Sequence, residues 1–231
     1  LILMKTNSKL LVDALSVVNG AINNNATLPI IQNVLFQLDG NTLTLTGTDL
    51  ENTLIVDIEV ESDTTTDFCA DGKKLVEFLK AIGNEQITLN IGKVLEIVTS
   101  NGKYELPIEP AHEYPNAPEI NGQSVNIPSD VLKDGFAKTI NFTSSDELRP
   151  TMTGVYLHEN KFVATDAHVL SKFTTNTHLD GEYIIPKKAV NLIRAIVQDD
   201  VTIVYDESNM KLISGSVTLI ARLIDGKFPN Y

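Results

Sequence analysis

The apolar residues follow two periods along the chain. From Ser8 to Val18 they recur at Leu11, Ala14, Leu15 and Val18, one face of a helix, with Asn7 or Ser8 as its cap and Asn19-Gly20 as its stop. Gly72 to Ile82 does the same with Leu75, Phe78, Leu79 and Ile82, and Gly83 lies just past its end. A third helix is predicted from a Ser129 cap to about Thr139. A fourth carries Pro186 in its first turn and runs to Val197 on Ala189, Leu192, Ile193 and Ile196. Between the helices the period drops to two, which predicts strands. In the first half these are Val34 to Leu38, Leu43 to Thr46, Ile55 to Val60, Ile87 to Ile91, Val94 to Val98 and Tyr104 to Ile108. In the second half they are Val125 to Ile127, 153–158, 161–164, 169–174, Val201 to Tyr205, Lys211 to Ile213 and Val217 to Leu223. Asp39-Gly40-Asn41, Gly92-Lys93 and Asn101-Gly102 read as the tight turns of antiparallel hairpins.

The pattern also repeats itself. The stripe of the fourth helix lies 114 residues after that of the second, residue for residue, and Glu113-Tyr114-Pro115-Asn116 recurs at the same offset as Lys227-Phe228-Pro229-Asn230. Pro29 and Pro150 each open an apolar strand, a polar turn, a second strand and a Thr-Asp pair, Thr48-Asp49 and Thr165-Asp166. One offset held over that distance indicates a duplication. Each copy contains two helices and six to eight short strands, ordered as helix then strand group, twice. Antiparallel strands with helices on one side make the fold class α+β. The proline-bearing stretch 109–122 places the boundary, giving domains 4–121 and 122–231.

Composition narrows the function classes. With 42% hydrophobic and 21% charged residues the 231-residue chain is globular rather than disordered. A single cysteine, Cys69, rules out an internal disulfide and a cysteine-rich metal cluster and suits a reducing compartment. No apolar run is long enough to span a bilayer. Leu1-Ile2-Leu3 is too short for a signal peptide, and Met4 reads as the natural start. The expected location is the cytoplasm.

A net charge of −12 argues at first against a polyanionic partner. Its distribution reverses that. The predicted helices hold nine cations (Lys9, Lys73, Lys74, Lys80, Lys133, Lys138, Lys187, Lys188 and Arg194) against four acids (Asp13, Glu77, Asp130 and Asp134). The helices therefore carry +5 and the remainder −17. Lys73 and Lys80 lie nearly opposite their helix's apolar stripe, as do Lys187 and Arg194 at the matching places of the second copy. Amphipathic helices commonly expose lysine, but the matched placement in a duplicated chain points to helices that line a surface meeting a polyanion, without base readout.

Thr27-Leu28-Pro29-Ile30 with Asn33, residues 45–51, residues 163–170, Ile185-Pro186-Lys187-Lys188 and the closing residues 223–231 together resemble the bacterial sliding clamps, the beta subunits of DNA polymerase III. The resemblance runs from Met4 to Tyr231. It implies two tandem clamp domains with a third absent from this chain, and a non-catalytic processivity factor that encircles double-stranded DNA. It further implies a head-to-tail homodimeric ring for the full-length family, and a monomer or weak oligomer here. No cofactor and no metal are implied. DNA contact maps to Asn24 and Asn25, where the family often has arginine, to residues 145–151, and to Lys73, Lys80, Lys138, Lys187 and Arg194. Polymerase and clamp loader insert short peptides into a cleft whose near wall matches Met152, Thr165, Ala167, His168, Val169 and Leu170. Ala167 and Val169 stand where the family usually has glycine and arginine, which alters the shape and charge of the pocket.

Two other classes remain open. Asp166 and His168, two apart and on one face if strand-borne, could serve a metal-dependent hydrolase on the duplicated scaffold. Yet a usable site needs three or four ligands, and Asp49, the counterpart of Asp166, has no histidine after it. The third class is an interaction scaffold without DNA contact.

Overall fold

A computed structural model describes residues 2–231, which divide into one unit ending at Ala117 and another beginning at Pro118, four residues ahead of the 121/122 boundary read from the sequence. The first unit runs β1 (Ile2–Asn7), α1 (Ser8–Val18), β2 (Val34–Asp39), β3 (Thr42–Thr48), β4 (Asn52–Glu59), β5 (Thr65–Ala70), α2 (Gly72–Ile82), β6 (Gln86–Ile91), β7 (Val94–Thr99) and β8 (Gly102–Pro107). The second repeats it: β9 (Gln123–Ile127), α3 (Ser129–Thr139), β10 (Gly154–His158), β11 (Lys161–Thr165), β12 (Leu170–Thr174), β13 (Glu182–Pro186), α4 (Lys187–Ile196), β14 (Val201–Tyr205), β15 (Asn209–Ser214) and β16 (Val217–Arg222). The fold is α+β, with eight strands among the described residues of each unit.

Within the first unit the strand orders are β1-β6-β7-β8 and β5-β2-β3-β4; within the second they are β9-β14-β15-β16 and β13-β10-β11-β12, all antiparallel. Each unit is thus a strand-helix-three-strand motif used twice, and the motifs interlock. The leading strand of each motif leaves its own group and adds to the other: β1 pairs with β6, and β5 with β2. This exchange forces non-local pairing, so neither half closes its sheet alone.

Three of the exchanged strands, β1, β5 and β13, lie outside the strands predicted from sequence. Ile2 and Leu3, which read as an appendage ahead of Met4, are strand residues paired with Ile91 and Asn90. In β5 the polar run Thr65-Thr66-Asp67 hides the alternation, and β13 buries Tyr183, Ile184 and Ile185 consecutively. A strand covered on both faces shows no period of two.

The helix ends sort by chemistry. Asn7 Oδ1 accepts from the amides of Lys9 (2.9 Å) and Leu10 (3.3 Å), and Asp71 Oδ1 accepts from those of Lys73 (3.1 Å) and Lys74 (3.0 Å). Ser129 is not a cap: it is the first residue of α3, and its amide donates to Asp200 Oδ1 at 3.2 Å, so a distant loop supplies the acceptor. Pro186 closes β13 and precedes α4 rather than sitting in its first turn. Proline's fixed φ fits both an extended strand end and the residue before a helix.

Each unit has its own core. Phe36 stacks on Phe68 with centroids 4.8 Å apart in the first, and Phe136 meets Phe162 edge-on at 5.3 Å in the second; all four are buried. Helix and sheet approach so closely that glycine is required, on opposite partners in the two units. In the first unit Gly47 of β3 faces the carbonyl of Val18, which a Cβ would strike. In the second unit Gly135 of α3 faces the ring of Phe162, 2.6 Å from where a Cβ would stand.

Candidate nucleic-acid interface

In each unit the two helices lie side by side, α1 with α2 and α3 with α4. Their buried faces turn out slightly rotated from the predicted stripes. In α2 the buried residues are Gly72, Leu75, Val76 and Leu79, while Phe78 and Ile82 are half-exposed. In α4 Val190 is buried and Leu192 is half-exposed. The rotation has a local cause in α2: Phe78 leans on the Tyr104 ring of β8, 4.5 Å between centroids, at the margin of the core.

That rotation moves Lys73 from the outward face to its flank. Lys73 is half-buried and its ammonium donates to the side-chain oxygen of Asn24, while Lys80, one heptad on, is exposed. Asn24 and Asn25 are both exposed in the loop after α1, so the structure brings Asn24 to Lys73. In the second unit Lys187 and Arg194 are exposed on α4, and Arg194 lies in the last turn, where a cation complements the helix dipole. Lys138 is different: its ammonium stands 4.3 Å above the Phe173 ring of β12, a cation–π contact against its own sheet. Lys9 and Lys74 are engaged by Asp13 (2.6 Å) and Asp71 (3.2 Å). Such exposed pairs exchange readily for phosphate.

The loop over residues 145–151 is solvent-facing. Arg149 sits in it, 3.5 Å from Asp146, and Leu148 is 92% exposed. Both belong to the stretch whose resemblance implies DNA contact, though neither stands out within it, because an isolated residue in a polar loop carries no period.

The Thr-Asp pairs resolve into one turn made twice. Asp166 Oδ1 accepts from the amides of His168 and Val169, each at 2.9 Å, and Thr165 Oγ1 donates to the Val169 carbonyl at 2.6 Å. In the first unit Asp49 Oδ1 accepts from Glu51 and Asn52, and Thr48 Oγ1 donates to the Asn52 carbonyl. The third residue is left-handed in both, Leu50 at φ 77° and Ala167 at φ 78°. Backbone amides hold the Asp166 carboxyl below the usual carboxylate range. This carboxylate is occupied by two backbone amides, in a turn rather than a strand. Among the described residues no three histidine, cysteine or acidic side chains converge as a metal site requires. The hydrolase reading loses its motivating geometry.

The turn does present a surface. Ala167, His168, Val169 (52% exposed) and Leu170 (42%) are open to solvent, while Met152 and Thr165 are buried. Among the described residues no helix is long and apolar enough to cross a membrane.

Against known proteins, the family described as DNA polymerase III beta subunit, N-terminal domain, matches residues 3–118, and its central domain matches residues 126–230. The beta sliding clamp of Pseudomonas aeruginosa is 27% identical over 237 residues, which is 96% of this chain and 64% of that protein. The beta sliding clamp of Chlamydia muridarum is 26% identical over 227 residues, 93% of this chain and 62% of that one. The chain thus spans somewhat under two thirds of these relatives. Among solved structures, the DNA polymerase III beta chain of Streptococcus pneumoniae superposes with a TM-score of 0.93 at 20% identity, over all of this chain and 67% of that one. The sliding clamp of Bacillus subtilis gives 0.90 at 23%, over 99% and 66%.

Proposed function

The chain belongs to the DNA polymerase III beta-subunit family, and from that premise we propose that it acts as the first two domains of a DNA sliding clamp. In this reading it performs no chemistry. Duplex DNA passes along the exposed faces of the helices, and the protein tethers a polymerase working on that DNA in the cytoplasm.

The observation that carries the reading is the segregation of charge. The helices α1 to α4 hold nine cations against four acids in a chain whose net charge is −12. The whole excess lies in α2 and α4, since cations and acids balance within α1 and within α3; lysine and arginine on a helix reach phosphates without reading bases, so a polyanion is admitted chiefly along α2 and α4. Lys80, Lys187 and Arg194 are the chief contacts, with Lys73 and Asn24 acting as a hydrogen-bonded pair. Lys138 is secondary, its cation being held over Phe173.

Partner proteins bind through short peptides with apolar ends, and Ala167, His168, Val169 and Leu170 form this chain's share of their cleft. The exposure of Val169 and Leu170 supports this. A V169E/L170E double variant is expected to lose peptide binding while keeping its fold.

The test is fluorescence anisotropy of a labelled duplex over a series of salt concentrations. Weak binding that falls steeply with salt is expected, and K80E/K187E/R194E should abolish it. Binding that survives the triple reversal would refute the helical lining.

A further inference from the structure

A second open groove lies in the second unit, away from the Thr-Asp turn, with a volume of about 1270 Å³. None of Met152, Thr165, Ala167, His168, Val169 or Leu170 lines it. Its two sides include Gln123 of β9 and Glu182 and Tyr183 of β13, each strand being outermost in its sheet within the unit; at Ile184 the β13 edge is already bridged by Ile224, whose amide donates to the Ile184 carbonyl at 3.0 Å. Sheet edges carry backbone donors and acceptors that an added extended chain can use.

The floor is built and held. Tyr205 packs against Tyr183 with centroids 4.7 Å apart, and its hydroxyl donates to Gln123 Oε1 at 2.8 Å. Gly181, at φ 94°, passes so close over the Tyr205 ring that a side chain there would collide with it. Tyr183 is 5% exposed, and its buried hydroxyl has no hydrogen-bond partner. A buried polar group left unsatisfied is uncommon and calls for a partner.

Charge selects that partner. Glu182, Asp206, Glu207 and Asp225 line the groove with Lys227, while Lys161 is taken up by Glu159. The lining is acidic on balance, and the volume exceeds that of most small-molecule pockets. We propose that this groove binds an extended, basic peptide segment of a partner protein. A lysine or arginine side chain enters between the acidic groups and donates to the Tyr183 oxygen. The site is separate from the clamp reading and stands or falls without it.

The experiment is anisotropy of a fluorescein-labelled peptide of alternating lysine and valine titrated with the whole chain, beside a glutamate-valine peptide of equal length. The basic peptide is expected to bind and the acidic one not. E182K/E207K should weaken binding roughly tenfold or more, and the neutral pair E182Q/E207Q by less. The same charge change made outside the groove, E77K/E105K, should leave it near the original affinity. Circular dichroism confirms that each variant is folded. Equal weakening by the groove and control reversals, or equal binding of the two peptides, overturns the proposal.

Discussion

Tyr114 and Phe228 fill equivalent places 114 residues apart, and only the tyrosine makes a buried hydrogen bond: its hydroxyl donates to the carbonyl of Thr46 at 3.1 Å. Phe228 compensates with contact, stacking on Tyr156 at 4.7 Å, which in turn stacks on His158 at 4.5 Å. The first unit holds its closing segment by a polar bond and the second by a pile of rings. Tyr114→Phe should therefore cost about 1 kcal/mol, leaving the Thr46 carbonyl without this donor, and urea denaturation measures it. Phe228→Ala should cost more, about 3 kcal/mol, because it empties a buried site. Equal losses would contradict this assignment.

The left-handed residue of the turn gives a substitution of opposite sign. Ala167→Gly relieves a conformation that L-residues rarely adopt and should stabilise the protein by about 1 kcal/mol. The neighbouring Asp166 has a lowered folded pKa, so its contribution is present above its unfolded pKa and is lost as pH falls through the folded value. Asp166→Asn should flatten stability over that acid range, read from melting temperature against pH.

Gly135→Ala tests packing against propensity. In a free helix alanine gains about 1 kcal/mol over glycine. Here the added methyl meets the fully buried Phe162 ring at 2.6 Å, so a net loss of about 1–3 kcal/mol is expected by calorimetry. A gain in stability would show that the ring yields freely.

Cys69 is buried among Ile30, Ile31 and Tyr114, and burial first, then the charges of Glu109 and Asp67, push its thiol from 9.0 up to about 12. A raised pKa means that the folded state keeps the proton longer. That stability is complete below about pH 9 and is lost as pH climbs toward about 12. An aromatic disulfide reagent should leave the native thiol untouched at pH 8 and react at once in denaturant. Cys69→Ala should soften the onset of alkaline unfolding.

The cations of the helices divide by surroundings. Lys138→Met should reduce duplex binding far less than Arg194→Met, since the Lys138 cation is already held over Phe173. Anisotropy at low salt separates the two, and equal losses would mean that the ring does not hold the lysine.

Local chemistry was legible. Stripes such as Leu11, Ala14, Leu15 and Val18 located the helices, because one buried face imposes its period on the chain whatever it packs against. The constant offset exposed the duplication, and the positions of lysine and arginine showed which elements carry positive charge. What stayed hidden were features whose cause lies far along the chain. The exchange of β1 and β5 between motifs hid because pairing partners leave no mark on a short strand. The Asp200 cap on α3 hid because its acceptor is 71 residues from the amide it serves.

The sequence by itself determined the helices, most of the strands, the doubling and the charge of each element, since these follow from backbone preference and side-chain type within a few residues. Only the tertiary structure decided where each charge finally sits. Lys73 rests against Asn24, Lys138 over Phe173, and Asp166 is consumed by two amides. Those outcomes depend on distances between groups that the fold brings together, and a linear pattern does not contain such distances.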